Sequence, residues 1–396
     1  MDYVLSDRIS NVKPSVVGDI FKMAADPRII AFSAGNPAKE AFPVEAVRRW
    51  TAEIMEEDPV GALQYSLNDG DPRLRQRIKE FLFERYHIGS DDDDIIITTG
   101  AEQGLDMLAK LLCNEGDAVL CEEPSFVGAL NTFRSYGAQL VGVPMETDGI
   151  HLSKLEEAMQ QHPNIKFMYL IPNFQNPTGI TMSEEKRRKV LELSVKYSVP
   201  IVEDNPYGDL RFAGEPVPAM KSMDTTGNVI YAGSFSKVLA PGLRVAYLCV
   251  PKQLMSALNT AKQCSDVHTA ILNQLLCYKF LTDFDFDAHI ENCCRIYKQK
   301  YELMAGEIAR CLSTKVTVTE PQGGMFLWCT LPDGADMMAF CKEAVQRGVA
   351  VVPGNAFLMD EAKSCQSFRM NYSSLPDEKI IEGIEILGQL TKEWFD

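Results

Sequence analysis

Seven short apolar runs recur between residues 94 and 250 of this 396-residue chain. They are DIIITT (94–99), DAVLCE (117–122), AQLVGV (138–143), IKFMYLI (165–171), VPIVED (199–204), NVIYAG (228–233) and VAYLCV (245–250). Each is rich in Ile, Val, Leu, Phe or Tyr and too short for a helix. Several are separated by stretches with helical spacing. In EQGLDMLAKLLC, Leu105, Leu108, Leu111 and Leu112 mark one face. SEEKRRKVLELSVKY (183–197) is a second such stretch. Strands apolar throughout, alternating with helices, must be buried on both faces. A mostly parallel sheet between helical layers does that.

The fold class is therefore α/β, with a mostly parallel seven-stranded sheet in a larger domain, residues 45–275. Beyond it the rhythm changes. A helical stretch covers 288–312, then come GGMFLWCTL, a helical ADMMAFCKEAVQRG, VAVVPG, SFRMNYS and a last helix. This reads as a smaller α+β domain, residues 276–396. Residues 1–44 hold no strand–helix unit and are expected to complete the small domain or cover the cleft. A chain this long exceeds one ordinary core.

Hydrophobic residues make up 46% and charged residues 24%, the profile of a soluble globular protein. The net charge of −16 repels phosphate backbones and argues against nucleic acid as a partner. The 11 cysteines form no Cys-x-x-Cys pair, and the five histidines have no ligand spacing. The expectation is buried, reduced thiols and no metal. The start, MDYVLSDRIS, has neither a basic head nor an apolar run, and no stretch approaches the ~20 apolar residues of a membrane helix. A cytoplasmic location with no membrane partner is expected.

In open α/β sheets ligands sit beyond the carboxyl ends of the strands. The first strand is followed by Gly100, Ala101 and Glu102, which open a helix. Small residues there leave the first amides free to hold an anion; alone, an ordinary strand–helix turn explains them. The run 165–171 is followed by PNFQNPTG, a rigid polar loop that presents Asn176. The run 199–204 ends at Asp204, a carboxylate that needs a positive or hydrogen-bonding partner if buried, with Tyr207 three residues on. The segment YAGSFSKVLAPGLR presents Ser234, Ser236, Lys237 and Arg244. Each feature alone has a bland structural account. Falling together at successive strand ends, they form a set.

NPTG, Asp-x-x-Tyr and SFSKVLAPGLR resemble the motifs of the fold type I pyridoxal-phosphate-dependent aminotransferases of class I/II. YSLNDGDPRLR (65–75), GAEQGLD (100–106), PNFQNPTG and FRMNYS (368–373) resemble the branch of 2-aminoadipate and kynurenine aminotransferases and the aminotransferase-like domain of MocR-type regulators. The resemblance covers nearly the whole chain. It implies pyridoxal 5′-phosphate as cofactor, joined to Lys237 as a Schiff base, with Lys237, Asp204 and Tyr207 catalytic. It implies that Asp204 meets the ring nitrogen, Asn176 and Tyr207 the ring oxygen, and Phe126 the ring face. Gly100, Ala101, Glu102, Ser234, Ser236 and Arg244 hold the phosphate. Tyr65 reaches it from the other subunit of a homodimer. Gly35, Asn176 and Arg369 meet the substrate, Arg369 at its α-carboxylate. The implied reaction is ping-pong transfer of an amino group from an L-amino acid to a 2-oxo acid, 2-oxoglutarate being the expected acceptor.

Two other reactions fit parts of the pattern. A β-lyase uses the same cofactor residues. A cofactor-sensing regulator would need a winged-helix domain, and about 30 residues before IIAFSAGNP are too few for one. One departure stands out. Dicarboxylate-preferring members of the branch often carry an arginine in an N-terminal helix, and Gly18 stands there in SVVGDIF.

Overall fold

A computed structural model describes residues 3–10, 12, 26 and 28–396. Gly18 lies outside the described residues. Strand β1 (Ile30–Ala31) is followed by eight strands that share one sheet. These are β2 (Asp93–Thr98), β3 (Ala118–Glu123), β4 (Gln139–Glu146), β5 (Gly149–Ile150), β6 (Ile165–Leu170), β7 (Ile201–Asp204), β8 (Val229–Ser234) and β9 (Ala246–Pro251). Their order is β2-β9-β8-β7-β6-β3-β4-β5. All seven expected strands are present. The addition is β5, a two-residue edge that folds back antiparallel on β4. The run β8-β7-β6-β3-β4 is parallel, and β9 is antiparallel to both of its neighbours.

Both faces of the sheet are covered, as the apolar runs require. Helix Ala101–Leu112 buries Leu105, Met107, Leu108 and Ala109, while Leu111 and Leu112 sit at its half-buried rim. Helix Glu184–Tyr197 starts where the Ser183 side chain accepts from the Lys186 amide. Two glutamates fill its first turn, the favourable end for negative charge. It stops at Ser198, whose positive φ breaks the ladder. On one side of the sheet, helices Val44–Glu57, Pro72–Tyr86 and Ile271–Thr282 pack around the fully buried Trp50. The last of these is unbroken across residue 275.

The C-terminal part holds β10 (Thr317–Val318), β11 (Phe326–Thr330), β12 (Val349–Ala350), β13 (Val352–Pro353) and β14 (Ser367–Asn371). Four of them form an antiparallel sheet in the order β10-β11-β14-β13. β12 pairs with β1 in parallel, and the Asn371 amide donates to the Phe32 carbonyl. Residues 30–32 thus pair with this part. One apolar core runs from the large sheet through helices Phe286–Cys311 and Asp377–Phe395 to the small sheet. The sheet ends that matter face the junction. Asp204 closes β7, Ser234 closes β8, and Arg369 lies mid-strand in β14 opposite Trp328 and Val352.

Candidate active site

The ends of β2, β6, β7 and β8 meet in a cavity of about 340 Å³. Its wall includes Gly35, Ala101, Glu102, Phe126, Asn176, Asp204, Tyr207, Ser234, Ser236, Lys237, Arg244 and Arg369. Residues 200 or more apart in sequence thus share one hollow. Size alone would not choose it. A hollow of about 470 Å³ lies between residues 147–148, 179–181 and 317–322, but its carboxylates, Asp148 and Glu320, are exposed surface groups.

Lys237 is half-buried as a residue, with its amine inside the cavity, where Nζ donates to the Gly35 carbonyl at 2.7 Å. Burial, then the Arg369 and Arg244 charges, lower its pKa to about 8. A substantial neutral fraction near pH 8 makes the amine a usable nucleophile. Asp204 is only 4% exposed. Its Oδ2 accepts from the Tyr169 hydroxyl at 2.7 Å, and its Oδ1 has no partner. Burial raises its pKa to about 7 against the lowering effect of Tyr169; Glu102 adds a smaller rise. A buried carboxylate oxygen without a partner is costly. Asp204 is among the residues that line the cavity.

Arg369 is buried in β14. Its Nη1 donates to Asn176 Oδ1 and its Nη2 to the Ser33 carbonyl, each at 2.8 Å. Its guanidinium lies 4.3 Å from the Phe326 ring centre and 5.1 Å from that of Phe357. The aromatic faces hold the plane and favour the cation. Its Nε lacks a partner. Burial lowers its pKa to about 10, so it stays charged at neutral pH. Asn176 Oδ1 accepts from Arg369, so its amide group is left to donate, with the Tyr207 hydroxyl as a neighbour. Tyr207 is buried against Phe326, ring centres 5.8 Å apart, and burial pushes its hydroxyl pKa up. It stays a neutral donor.

The opposite end of the cavity is built for an anion. Gly100 opens helix Ala101–Leu112 with no side chain capping the free amides. Gly100 has φ +79°, and a Cβ there would lie 2.1 Å from Arg244 Nη2. The missing side chain is what lets the guanidinium lie over the helix start. The Ser236 amide donates to Ser234 Oγ at 3.1 Å, which turns both serines toward the same end. Glu102 lines the cavity, yet its carboxylate accepts from Thr132 Oγ1 at 2.5 Å, and burial raises its pKa. Phe126 stands half-buried in the wall at the start of helix Val127–Ser135.

Tyr65 is not in this cavity. It is 80% exposed, its ring edge-on to His268 with centres 5.8 Å apart. Four residues escaped the sequence reading: Tyr169 behind Asp204, the Ser33 carbonyl, Phe326 and Phe357. Tyr169 had a usable signal as the lone hydroxyl in the strand IKFMYL. The two phenylalanines had none, since nothing in a Phe codes for a cation above it.

The family model for aminotransferase class I and II matches residues 27–387. The chain belongs to the class I and II aminotransferases. Aromatic-amino-acid aminotransferase 1 of Thermococcus litoralis is 37% identical, over 99% of this chain and 95% of its own. The crystal structure of Pyrococcus horikoshii kynurenine aminotransferase, in complex with PMP, has a TM-score of 0.95 at 35% identity. It covers 99% of this chain and 98% of its own. The alpha-aminoadipate aminotransferase of Thermus thermophilus, complexed with N-(5′-phosphopyridoxyl)-L-leucine, gives 0.89 at 34% identity, over 98% and 97%.

This aminotransferase depends on pyridoxal 5′-phosphate, and the cavity suits that molecule. An orphaned carboxylate oxygen, a lysine of lowered pKa, and a helix start with two serines and an arginine would each suit one part of it. Among the described residues no group of three or more His, Cys, Asp and Glu could hold a metal, and no described helix is long and apolar enough to cross a membrane.

Proposed function

We propose that this aminotransferase moves the amino group of an L-amino acid with a large side chain to 2-oxoglutarate. The observation that carries the reading is the pairing of Lys237 with Arg369 in one cavity, an amine of lowered pKa beside a fixed guanidinium fork.

When bound, pyridoxal phosphate supplies an aldehyde that takes up the amino group and a ring that draws electrons from the substrate Cα. Lys237 Nζ would anchor the cofactor covalently through its aldehyde carbon. Freed from that bond, the same Nζ would take the Cα proton and hand it to that aldehyde carbon. Its lowered pKa suits both tasks near neutral pH. Asp204 Oδ1 holds a proton on the ring nitrogen, which gives that orphaned oxygen its partner. Tyr169 keeps the carboxylate aimed and favours its charged form. Asn176 Nδ2 and the Tyr207 hydroxyl donate to the ring oxygen, and Phe126 covers a ring face. The amides of Ala101 and Glu102, the hydroxyls of Ser234 and Ser236, and Arg244 would hold the phosphate, with Gly100 leaving room for the Arg244 guanidinium. Arg369 clamps the substrate α-carboxylate with a planar fork that lysine could not copy. Gly35, without a side chain, keeps that approach open.

The substrate class rests on two supports. Relatives are named for aromatic amino acids, kynurenine and alpha-aminoadipate, all with large side chains. Phe126, Val127, Ile171 and Phe326 give the cavity an apolar wall. We also infer a homodimer. Tyr65 lies on an exposed apolar stretch with Val60, Leu63 and Leu67, a surface that a second subunit would cover. There Tyr65 would reach the second subunit's phosphate.

The decisive assay presents a panel of L-amino acids with 2-oxoglutarate and measures glutamate. Aromatic and long-chain donors should yield it. Ammonia and a 2-oxo acid appearing without glutamate would reveal a lyase and overturn the assignment.

A further inference from the structure

Behind the start of helix Ala101–Leu112 lies a buried cation that the chemistry above does not use. Lys262, near the end of helix Met255–Gln263, has no solvent exposure. Its Nζ donates to Gln103 Oε1 at 2.5 Å and to Thr269 Oγ1 at 2.9 Å, and it pairs with Asp266 Oδ1 at 2.8 Å. Lysines are almost never fully buried unless paired. This one has a partner for each of its three protons, and Thr99 Oγ1 stands at 3.4 Å as a fourth.

The partners are not scattered. Thr99 and Gln103 flank the stretch from Gly100 to Glu102. Gln103 Oε1 also accepts from the Thr99 amide at 2.7 Å, so the side chain reaches back over the helix start. That contact ties the first turn of the helix to the residue before its N-cap and so holds the turn into the helix. The Thr99 hydroxyl donates to Asp266 Oδ2 at 2.6 Å and meets Thr269 Oγ1 at 3.0 Å. One ammonium therefore ties both ends of the segment whose amides point into the cavity. Asp266 balances its charge, so its effect on an anion comes from geometry more than from field. A helix start bound to an anion gains only if its amides converge on it.

We propose that Lys262 is a positioning residue for the cofactor phosphate. By gripping Gln103 and Thr99 it fixes the turn at Gly100 and aims the amides of Ala101 and Glu102. This rests on the assignment of those amides to the phosphate.

The test separates phosphate from ring. Cofactor-free full-length protein is titrated with pyridoxal 5′-phosphate, with pyridoxal, which has the same ring and aldehyde but no phosphate, and with inorganic phosphate as competitor. Lys262→Met should weaken binding of pyridoxal phosphate and of inorganic phosphate by about tenfold or more, the scale on which supporting groups act through the ligands they hold. Pyridoxal should bind as it does to the parent. Lys262→Arg, which keeps the charge and the donors, should restore part of the loss. Where the single change leaves Asp266 stranded and the protein unfolds, Lys262→Met with Asp266→Asn removes the pair together and is read in the same way. Equal losses for pyridoxal phosphate and pyridoxal, or no loss for either, overturn the proposal. Arg244→Gln serves as the reference for the site itself. If it separates the ligands and Lys262→Met does not, the phosphate site stands and the role of Lys262 falls. If Arg244→Gln does not separate them, the phosphate assignment falls, and this inference with it.

Discussion

Replacing Asp204 by Asn should destroy the enzyme and strengthen the cofactor-free protein at alkaline pH. Asp204 is 4% exposed, and burial lifts its pKa from 3.8 to about 7. Between those values the folded protein binds a proton that the unfolded chain has released. Folding stability then falls as pH rises through that window. Three pH units at about 1.4 kcal/mol each give about 4 kcal/mol lost by pH 8. At pH 5 only about a third of this has been lost. Asn has the same shape and no charge, so it escapes the penalty. Its amide lacks a partner where Oδ1 now has none, at a cost of about 1–3 kcal/mol, but that cost does not depend on pH. The variant's stability relative to the parent should therefore climb by about 3 kcal/mol from pH 5 to pH 8. Urea unfolding of both cofactor-free proteins at the two pH values measures it. Turnover should drop by at least about a hundredfold, as the amide cannot hold the ring proton. A stability difference flat across pH would refute the argument, for it would mean that Asp204 is not forced to ionise in a dry site. Bound cofactor should erase the parent's penalty, because it gives the carboxylate its cation.

Cofactor uptake by the cofactor-free protein should follow the neutral fraction of Lys237, whose pKa is lowered to about 8. The rate should rise about tenfold per pH unit below 7 and level off above 8; a rate flat from pH 6 to 9 would contradict this. Arg369→Lys removes the fork that now spans Asn176 and Ser33. Losing one charge-assisted bond of about 3 kcal/mol should lower kcat/KM for the amino donor about a hundredfold, mostly through KM, and parental kinetics would remove Arg369 from the carboxylate site. Gly100→Ala places a Cβ 2.1 Å from Arg244 Nη2 at φ +79°. Affinity for pyridoxal phosphate should fall by about tenfold or more, with about 1 kcal/mol of stability lost to the strained backbone; unaltered affinity would show that Arg244 does not need that space.

Much of this was legible in the chain itself because the sheet's burial writes itself into local composition. Seven apolar runs read as strands covered on both faces, and the polar residues at their ends, each ordinary alone, stood out as a set. Asn176, Asp204, Ser234 and Lys237 were readable for that reason, each lying at or just past a strand end. Glu102 was legible as a helix-start residue, but the course of its carboxylate toward Thr132 depended on a neighbouring helix. Tyr65 was legible only by resemblance, since nothing local marks an exposed tyrosine as part of a site. What the sequence alone determined is the inventory and its order: alternating strands and helices, and a lysine, a carboxylate, a phosphate-type helix start and an arginine fork. What only the tertiary structure decided is the state of those groups. Asp204 is raised to about 7, and Lys237 lowered to about 8, by burial that comes from residues distant in sequence. Arg369 finds its aromatic faces in Phe326 and Phe357. Lys262 lies behind the phosphate end because helix Met255–Gln263 packs beside helix Ala101–Leu112. Desolvation and long-range contact depend on where chain segments meet, and no window of sequence contains that meeting.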